Sequence, residues 1–523
     1  MGIFTKSGSD EKPAAACLEN KDLESNEKTA TSQYGDATED LPFDSIDPVI
    51  EARLKRKLDF NLLPLVFFLY LLASLDRSNI GNARIAGMED DLDLVGDRYS
   101  WLLNIFYISY ILFEFQILAW KCFKPHQWAA FVVFGWGVVS TCQAAVQSWA
   151  GEMVLRFFLG VCEAGYGTGI PFFLSFFYLR HEVGFRQGMF VSAAPLATCF
   201  AGALAYGITS GPAAIASWRV LFLAEGLPTI AMAPVVWFCM PDSPQKARFL
   251  DEDEKRVALV RTIRQVGPQS IERKGAISLR NVLAGLADFK PWVTSLMYFS
   301  CNVSFASLPV FLPTILEEMG FESVTAQGLT APPYFLAFLV TVGTTWLADR
   351  TQQRGLMIVC LSLIGGVGYI MLATTKSTGP RYAGVFLAAS GVFPCIGNIL
   401  PWVSNNQGND DRRGVAYVML NVIGQCGSVL ASNIYPKSEG PYYTKGVSIC
   451  AAFMFFTTFL AITLRTLLAR ENRKLDREYG TVAEQEARDE AAIAAAGAAG
   501  DKNAVIQAAS GVENYGPRYR YVL

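Results

Sequence analysis

Histidine is almost absent. The 523 residues contain two, His126 and His181, too few for a histidine relay or a histidine-based catalytic site. Charge is scarce, at 17% of residues with a net of −3, so no basic footprint points to nucleic acid. The eleven cysteines are scattered, mostly in apolar stretches such as those around Cys142, Cys162 and Cys199. None forms a C-x-x-C pair, which leaves neither a disulfide framework nor a zinc site. The opening MGIFTKSGSDEK lacks the charged-then-apolar pattern of a signal peptide. Gly2 invites myristoylation, but Lys6 stands where that motif needs Ser or Thr. With no metal cluster, cofactor motif or nucleophile–base constellation in view, an enzyme is not expected.

What the chain has instead is apolar length. Hydrophobic residues make up 52% of it, and runs of about 18 or more apolar residues recur along most of its length, the signature of membrane-spanning helices. Twelve spans fit: 60–82, 99–119, 128–148, 152–178, 188–210, 218–240, 292–312, 332–348, 356–375, 381–401, 415–435 and 446–468. The basic cluster Arg53, Lys55, Arg56 and Lys57 precedes the first run, and the positive-inside rule places it in the cytoplasm. Loops on the same side carry Lys121 and Lys124, Arg180 and Arg186, Arg350 and Arg354, and Arg412 and Arg413. The first loop on the other side is acidic: Glu89, Asp90, Asp91, Asp93 and Asp97.

The expected organisation is therefore a disordered cytoplasmic tail (1–57), a six-helix bundle (58–240), a cytoplasmic linker (241–290), a second six-helix bundle (291–470) and a cytoplasmic tail (471–523). The second tail is charged, then Ala-rich, and reads as a short helix passing into disorder. The halves echo each other: RQGMFVSAAP at Arg186 against RRGVAYVMLN at Arg412, and RFFLGVCEAGYGTGIP against RYAGVFLAASGVFPCIGNILP. Paired halves with Gly/Pro-interrupted helices are the pattern of alternating-access transporters.

Several stretches carry a family resemblance: LDRSNIGNARIAGMEDDL at 75–92, RFFLGVCEAG at 156–165, SFFYLRHEVGFRQG at 175–188, WRVLFLAEGLPTI at 218–230, FLPTILEEMGF at 311–321, LTAPPYFLA at 329–337 and LADRTQQRG at 347–355. Together they resemble the major facilitator superfamily, and within it the fungal anion:cation symporters that include allantoate, nicotinate and pantothenate permeases. The resemblance runs from about residue 58 to 470. It implies an all-α membrane protein, twelve transmembrane helices in two six-helix bundles (the major facilitator fold), with both termini cytoplasmic. One departure is in EFQILAWKCFKPHQW, where Gln116 and Leu118 replace the Pro and Asn usual after Glu114. Span five, SAAPLATCFAGA, lacks the Gly-Pro…Gly-Gly pattern of the superfamily's antiporters.

An ionised side chain in hydrocarbon costs about 2.5–3.5 kcal/mol on insertion scales, so the charges inside spans need reasons. Asp76 and Arg77 lie in span one, and Arg156 and Glu163 lie seven residues apart in span four. Seven residues are two helical turns, so the latter pair shares a face. Membrane exit would also account for Asp76–Arg77, and snorkelling for Arg156; Glu163 has no basic sequence neighbour and resists such readings. Glu225 is expected to pair structurally, and the Asn302-Val-Ser sequon lies inside a span and is discounted.

The resemblance implies roles for these residues. Arg77 and Arg156 are the expected substrate-binding residues, Asp76 and Glu163 the proton-coupling ones. From their place at the cytoplasmic ends, and not from the resemblance, Glu114, Asp349 and Arg350 are expected gating contacts. An arginine offers a carboxylate a bidentate, permanently charged fork, with Arg156 slightly favoured as the anion site. Asp76 would neutralise Arg77, and Glu163 would neutralise Arg156, until each is protonated. The expected function is proton-coupled uptake of a small organic carboxylate such as nicotinate or allantoate. The partners are the organic anion, protons and the lipid bilayer, with no cofactor, no metal and no nucleic acid. The chain is expected to be a monomer in the plasma membrane, with a vacuolar or other endomembrane as the alternative. Two other readings are a transporter serving a secondary-metabolite or catabolic gene cluster, with export as one option, and a non-transporting nutrient sensor.

Overall fold

The computed structural model describes residues 47–209, 215–266, 279–321, 323–408, 410–498 and 518–523. The tail expected over 1–57 falls outside them up to residue 46, as do 267–278 of the linker and 499–517 of the second tail. Among the described residues the secondary structure is helical throughout, without strands.

Twelve helices carry the architecture. The first six are α1 (Pro48–Ala83), α2 (Arg98–Leu112), α3 (Pro125–Gln143), α4 (Trp149–Gly167), α5 (Val183–Thr209) and α6 (Ser217–Cys239). The second six are α7 (Phe289–Glu318), α8 (Ser323–Thr351), α9 (Arg354–Thr374), α10 (Thr378–Asn405), α11 (Asp410–Ala431) and α12 (Thr444–Tyr479). Their starts follow local chemistry. Asp47 accepts from Val49 N at 2.8 Å with Pro48 in the first turn, Ser148 accepts from Gly151 N at 3.3 Å, and Asp288 accepts from Lys290 N at 3.1 Å. Each supplies an acceptor to a helix N-terminus that has donors to spare.

Among the described residues, ten helical segments are long and apolar enough to cross a bilayer, or eleven if α2 and the short helices after it count as one span bent by 43°. Of the twelve spans expected, α3 is the one outside this set: it has 19 residues but begins Pro-His-Gln and ends in Gln143, which leaves a short apolar centre. Span two is not continuous either. It breaks after Leu112 into a tight turn over Glu114–Leu118. No proline marks that break; it is fixed by α4, whose Val161 and Gly165 carbonyls accept from Gln116 Nε2 (2.9 Å) and Trp120 Nε1 (2.8 Å). Large apolar side chains such as Phe131, Phe238 and Phe459 are 62–70% exposed, as a lipid-facing surface requires.

The packing has an internal repeat. Within the first half α1 packs on α5 and α6, α2 on α4, and α3 on α4 and α6. Within the second, α7 packs on α11 and α12, α8 on α10, and α9 on α10 and α12. Adding six to each helix number of the first set gives the second. Between halves, α5 meets α8 and α10, α2 meets α11, and α1 meets α7. The linker lies at one end. Its helix, Glu252–Val266, is tied to α1 by Lys57–Asp251 and Lys57–Glu254, each 2.9 Å, and to the α4–α5 connection by Arg261–Glu182. Burial alone would push the Glu182 carboxyl above its usual value, but Arg261, His181 and Lys55 outweigh it and hold it below.

Small residues set the closest helix contacts. Gly368 on α9 backs onto the main chain of Gly384 and Ala388 on α10, and Gly365 onto Gly391, the small-to-small approach that packs membrane helices. Gly368→Ala is expected to destabilise the protein by about 1–3 kcal/mol through overpacking. Gly379→Ala, where an added Cβ meets nothing within 4 Å, should match wild type. Thermal unfolding in detergent, followed by size-exclusion chromatography, compares the two.

Candidate functional site

Asp76 and Arg77 are consecutive on α1, so their side chains leave the helix about 100° apart, and the structure uses that divergence. Asp76 is 1% exposed and turns into the first half. It accepts from Ser140 Oγ at 2.5 Å and Trp136 Nε1 at 2.9 Å, both on α3. Arg77 turns toward α2 and α4. Its Nε donates to Glu163 Oε2 at 2.5 Å, and its guanidinium lies 4.9 Å from the Tyr110 ring centre and 5.6 Å from that of Phe106. The adjacent charges are not partners; each is held by another helix.

Span four re-pairs as well. Arg156 and Glu163 do share a helix, but Arg156 Nε donates to Glu152 Oε1 at 3.1 Å, one turn back. Arg156 is 2% exposed, with Phe222 of α6 5.7 Å from its guanidinium carbon. The Glu163–Arg156 and Asp76–Arg77 neutralisation expected from sequence is thus replaced by Glu163–Arg77 and Glu152–Arg156. The Glu152 pairing was legible as an i,i+4 spacing. The Arg77–Glu163 pair was not, because it joins residues 86 positions apart.

Glu225 also departs from expectation. It lies near Asp76, Asn79 and Arg156 and makes no ion pair among the described residues. Glu114, expected at a gate, is fully buried at the α2 break, beside Thr168. The first half therefore encloses five carboxyls (Asp76, Glu114, Glu152, Glu163, Glu225) and two guanidiniums (Arg77, Arg156). Two of the acids are ion-paired; three have only neutral hydrogen-bond donors or no cation partner.

Between the halves lies a cavity lined by residues of both. Among the described residues Arg77 is the one charged residue in its lining, with Ser74, Ser78, Tyr107 and Tyr110 near it. Arg156 does not reach this wall. The opposite wall comes from α7, α10 and α11 and is uncharged: Tyr298, Asn302, Phe305, Phe393, Asn421, Gln425 and Ser428. Sequence reading missed this wall, since an amide inside an apolar run has no period or motif to announce it.

The halves touch at both ends of the cavity. At the end away from the linker, Asn104 and Asn433 exchange side-chain hydrogen bonds at 3.2 and 3.4 Å. There Gly81 lies so near α7 that a Cβ would sit 2.9 Å from the Val310 carbonyl oxygen. At the linker end Asp349 of α8 pairs with Arg354 and accepts from Phe185 N of α5 at 2.6 Å, while Arg180 Nε donates to the Asn405 carbonyl. Of the expected gating trio, Asp349 lies between the halves, Arg350 stacks on Trp346 of its own helix at 5.5 Å, and Glu114 lies inside the first half.

The Major Facilitator Superfamily model matches residues 66–432. Over 439 residues the chain is 33% identical to the MFS transporter prlL of a fungal species, covering 82% of this chain and 88% of that one. It is 29% identical over 485 residues to the high-affinity nicotinic acid transporter of Saccharomyces cerevisiae, covering 90% of each. Among solved structures it is similar to the proton:xylose symporter XylE bound to 6-bromo-6-deoxy-D-glucose, with a TM-score of 0.61, 13% identity, and 77% of this chain and 95% of that one covered.

The Glu152–Arg156 pair yields a stability test. Removing one member of a buried pair leaves an uncompensated charge and costs about 3–5 kcal/mol, whereas apolar replacement of both is near neutral. Glu152→Leu should lower the unfolding temperature sharply, and Glu152→Leu with Arg156→Met should recover most of the loss. Substrate uptake by the stable double variant then separates a framework role for Arg156 from anion binding.

Proposed function

This chain belongs to the major facilitator superfamily, and from that premise we propose a proton-coupled symporter that takes up a small organic carboxylate. It is a multi-pass membrane transporter and not an enzyme. In the proposed topology α3 is the twelfth span, the linker side is cytoplasmic, both termini lie there, and the protein acts as a monomer in the plasma membrane.

One observation carries the reading: the single charge on the cavity wall, Arg77, is only partly satisfied. Glu163 occupies its Nε edge at 2.5 Å, and its Nη2 is buried without a hydrogen-bond partner. A guanidinium in that state can accept a carboxylate on its remaining N–H groups. Glu163 is then the natural coupling group. While ionised it competes with the substrate for Arg77; once protonated it withdraws that competition. Proton and anion binding each favour the other, and linkage makes the effect reciprocal. Asp76, held by Ser140 and Trp136, is the second proton site in this proposal, with Glu225 and Glu114 as further carriers. Asp349 closes the cytoplasmic gate through Phe185 N and Arg354. The similarity to a nicotinic acid transporter supports an organic anion as the substrate.

Uptake of radiolabelled monocarboxylates into cells should accelerate as external pH falls from about 7 to 5, where a carboxyl gains its proton, and should collapse with a protonophore. Indifference to both treatments would leave a facilitator.

Glu163→Gln keeps the shape and a hydrogen bond to Arg77 but cannot titrate. Concentrative uptake should disappear while exchange in pre-loaded vesicles survives; accumulation against a gradient by this variant would move the coupling site elsewhere, with Asp76 first in line.

Arg77→Lys retains charge but not the planar fork. Transport is expected to drop by at least tenfold at normal expression. Near-normal uptake would reduce Arg77 to a helix anchor and remove the anion site from this wall.

A further inference from the structure

The second half contributes no charge to the cavity, yet it leaves a polar group unsatisfied there. Asn302 on α7 is 2% exposed, lines the cavity and has an Nδ2 with no hydrogen-bond partner. Its close approach to α11 is made by Gly424, where a Cβ would stand 3.1 Å from Nδ2. One residue after Gly424 is Gln425, whose Oε1 accepts from Ser428 Oγ at 2.9 Å, so the amide N–H donors are its remaining capacity. Asn421, a turn earlier, spends an N–H on the Tyr417 carbonyl at 2.9 Å. Between this wall and Arg77 the surface is aromatic. Tyr70 stacks on Phe190 with centroids 4.1 Å apart and planes at 29°, and Phe305 lies 4.9 Å from Phe393.

We propose that Asn302, supported by Gln425, is the specificity-determining donor for the end of the substrate remote from its carboxylate. The substrate class is a flat aromatic monocarboxylate with a hydrogen-bond acceptor, such as a ring nitrogen, across from the acid group. A buried N–H without a partner is costly until something accepts from it, and a site built around it discriminates against analogues that lack the acceptor. The aromatic surfaces suit a planar ring, and Arg77 takes the charge.

This inference rests on the carboxylate reading above, and its test separates the two. Isothermal titration of the purified full-length protein in nanodiscs would compare pyridine-3-carboxylate, pyridine-4-carboxylate, benzoate and cyclohexanecarboxylate. At least one pyridine acid should bind about tenfold or more tighter than benzoate, and benzoate tighter than cyclohexanecarboxylate. In Asn302→Leu the pyridine-to-benzoate ratio should fall to about one. Asn302→Ser, which is smaller and keeps a hydroxyl, gives the same comparison if the leucine variant does not fold. Equal binding of pyridine acids and benzoate by wild type, or a ratio preserved in both variants, would overturn the role of Asn302 while leaving the carboxylate reading intact. Failure of all four acids to bind would overturn both.

A separate set of contacts carries a second proposal. The segment Arg518–Leu523 lies across the linker end of the molecule. Its Arg520 carbonyl accepts from Arg180 Nη2 of the first half at 2.8 Å, and Tyr519, 2% exposed, packs 4.3 Å from the Arg180 guanidinium. α10, α12 and the helix Val482–Ala498 after α12 hold the rest. Trp402 Nε1 donates to the Val522 carbonyl at 2.8 Å and Asn406 Oδ1 accepts from Val522 N at 2.9 Å. Asn472 pairs with the main chain of Tyr521 through two 2.8 Å bonds. Arg520 reaches Asp476 at 2.8 Å and Arg518 reaches Asp489 at 2.6 Å.

We infer that this segment is a strap that holds the two halves together at the linker end and so restrains opening to that side. Hydrogen exchange of the full chain tests it. Tyr519→Ala should speed exchange at least about fivefold in residues 179–188 and 403–408, on both sides of the strap. Trp402→Phe, which removes a single donor, should act in the same direction. Faster exchange confined to 518–523, with those two regions as in wild type, would overturn the strap.

Discussion

The buried contact between Arg77 and Glu163 is the interaction on which the rest of the arrangement depends. It joins α1 to α4 across the wall of the cavity, at a depth where an unpaired ion is costly. Because Glu163 takes only the Nε edge, the arginine is compensated well enough to be held in place and not so fully as to be inert. The aromatic rings of Tyr110 and Phe106 beside it hold the guanidinium without competing for its N–H groups. A fully paired arginine would have nothing left for the anion proposed to bind it, and an unpaired one would be costly at that depth.

Around this contact the first half concentrates charge and the second half excludes it from the cavity. Five carboxyls and two guanidiniums share one set of helices, and the facing wall offers amides, hydroxyls and aromatic rings. The division separates two tasks. These buried charges are confined to α1, α2, α4 and α6, which pack with α3 as a unit, and in the proposed mechanism proton exchange takes place there. In the proposal, recognition of the uncharged part of a substrate falls to α7, α10 and α11. A ligand that bridges the walls senses both halves together, the requirement for coupling its binding to their relative movement.

Some of this was open to a reader of the sequence. Apolar length and basic loops gave the helical membrane architecture, and the charges of LDRSN and of span four marked the first half as the place to look. The i,i+4 spacing of Glu152 and Arg156 contained their pairing, although the eye goes to the seven-residue spacing that ends at Glu163. The break in span two carries no proline to announce it, since it depends on carbonyls of α4. Asn302 sits inside a glycosylation sequon within an apolar run, and nothing local distinguishes it from a tolerated polar residue.

By itself, then, the sequence determined that the chain is built of long apolar helices suited to a membrane, and which charged residues lie within them. Those properties follow from hydrophobic length, helix caps and charge count, all of which are local along the chain. The partners of those charges were decided by tertiary structure alone. Adjacent residues on a helix diverge by about 100°, so Asp76 and Arg77 went to α3 and α4 and not to each other. Which arginine faces the cavity, which acids lack a cation and which amides face them across the gap depend on how twelve helices rotate against their neighbours, and that rotation is set by contacts between residues far apart in the chain.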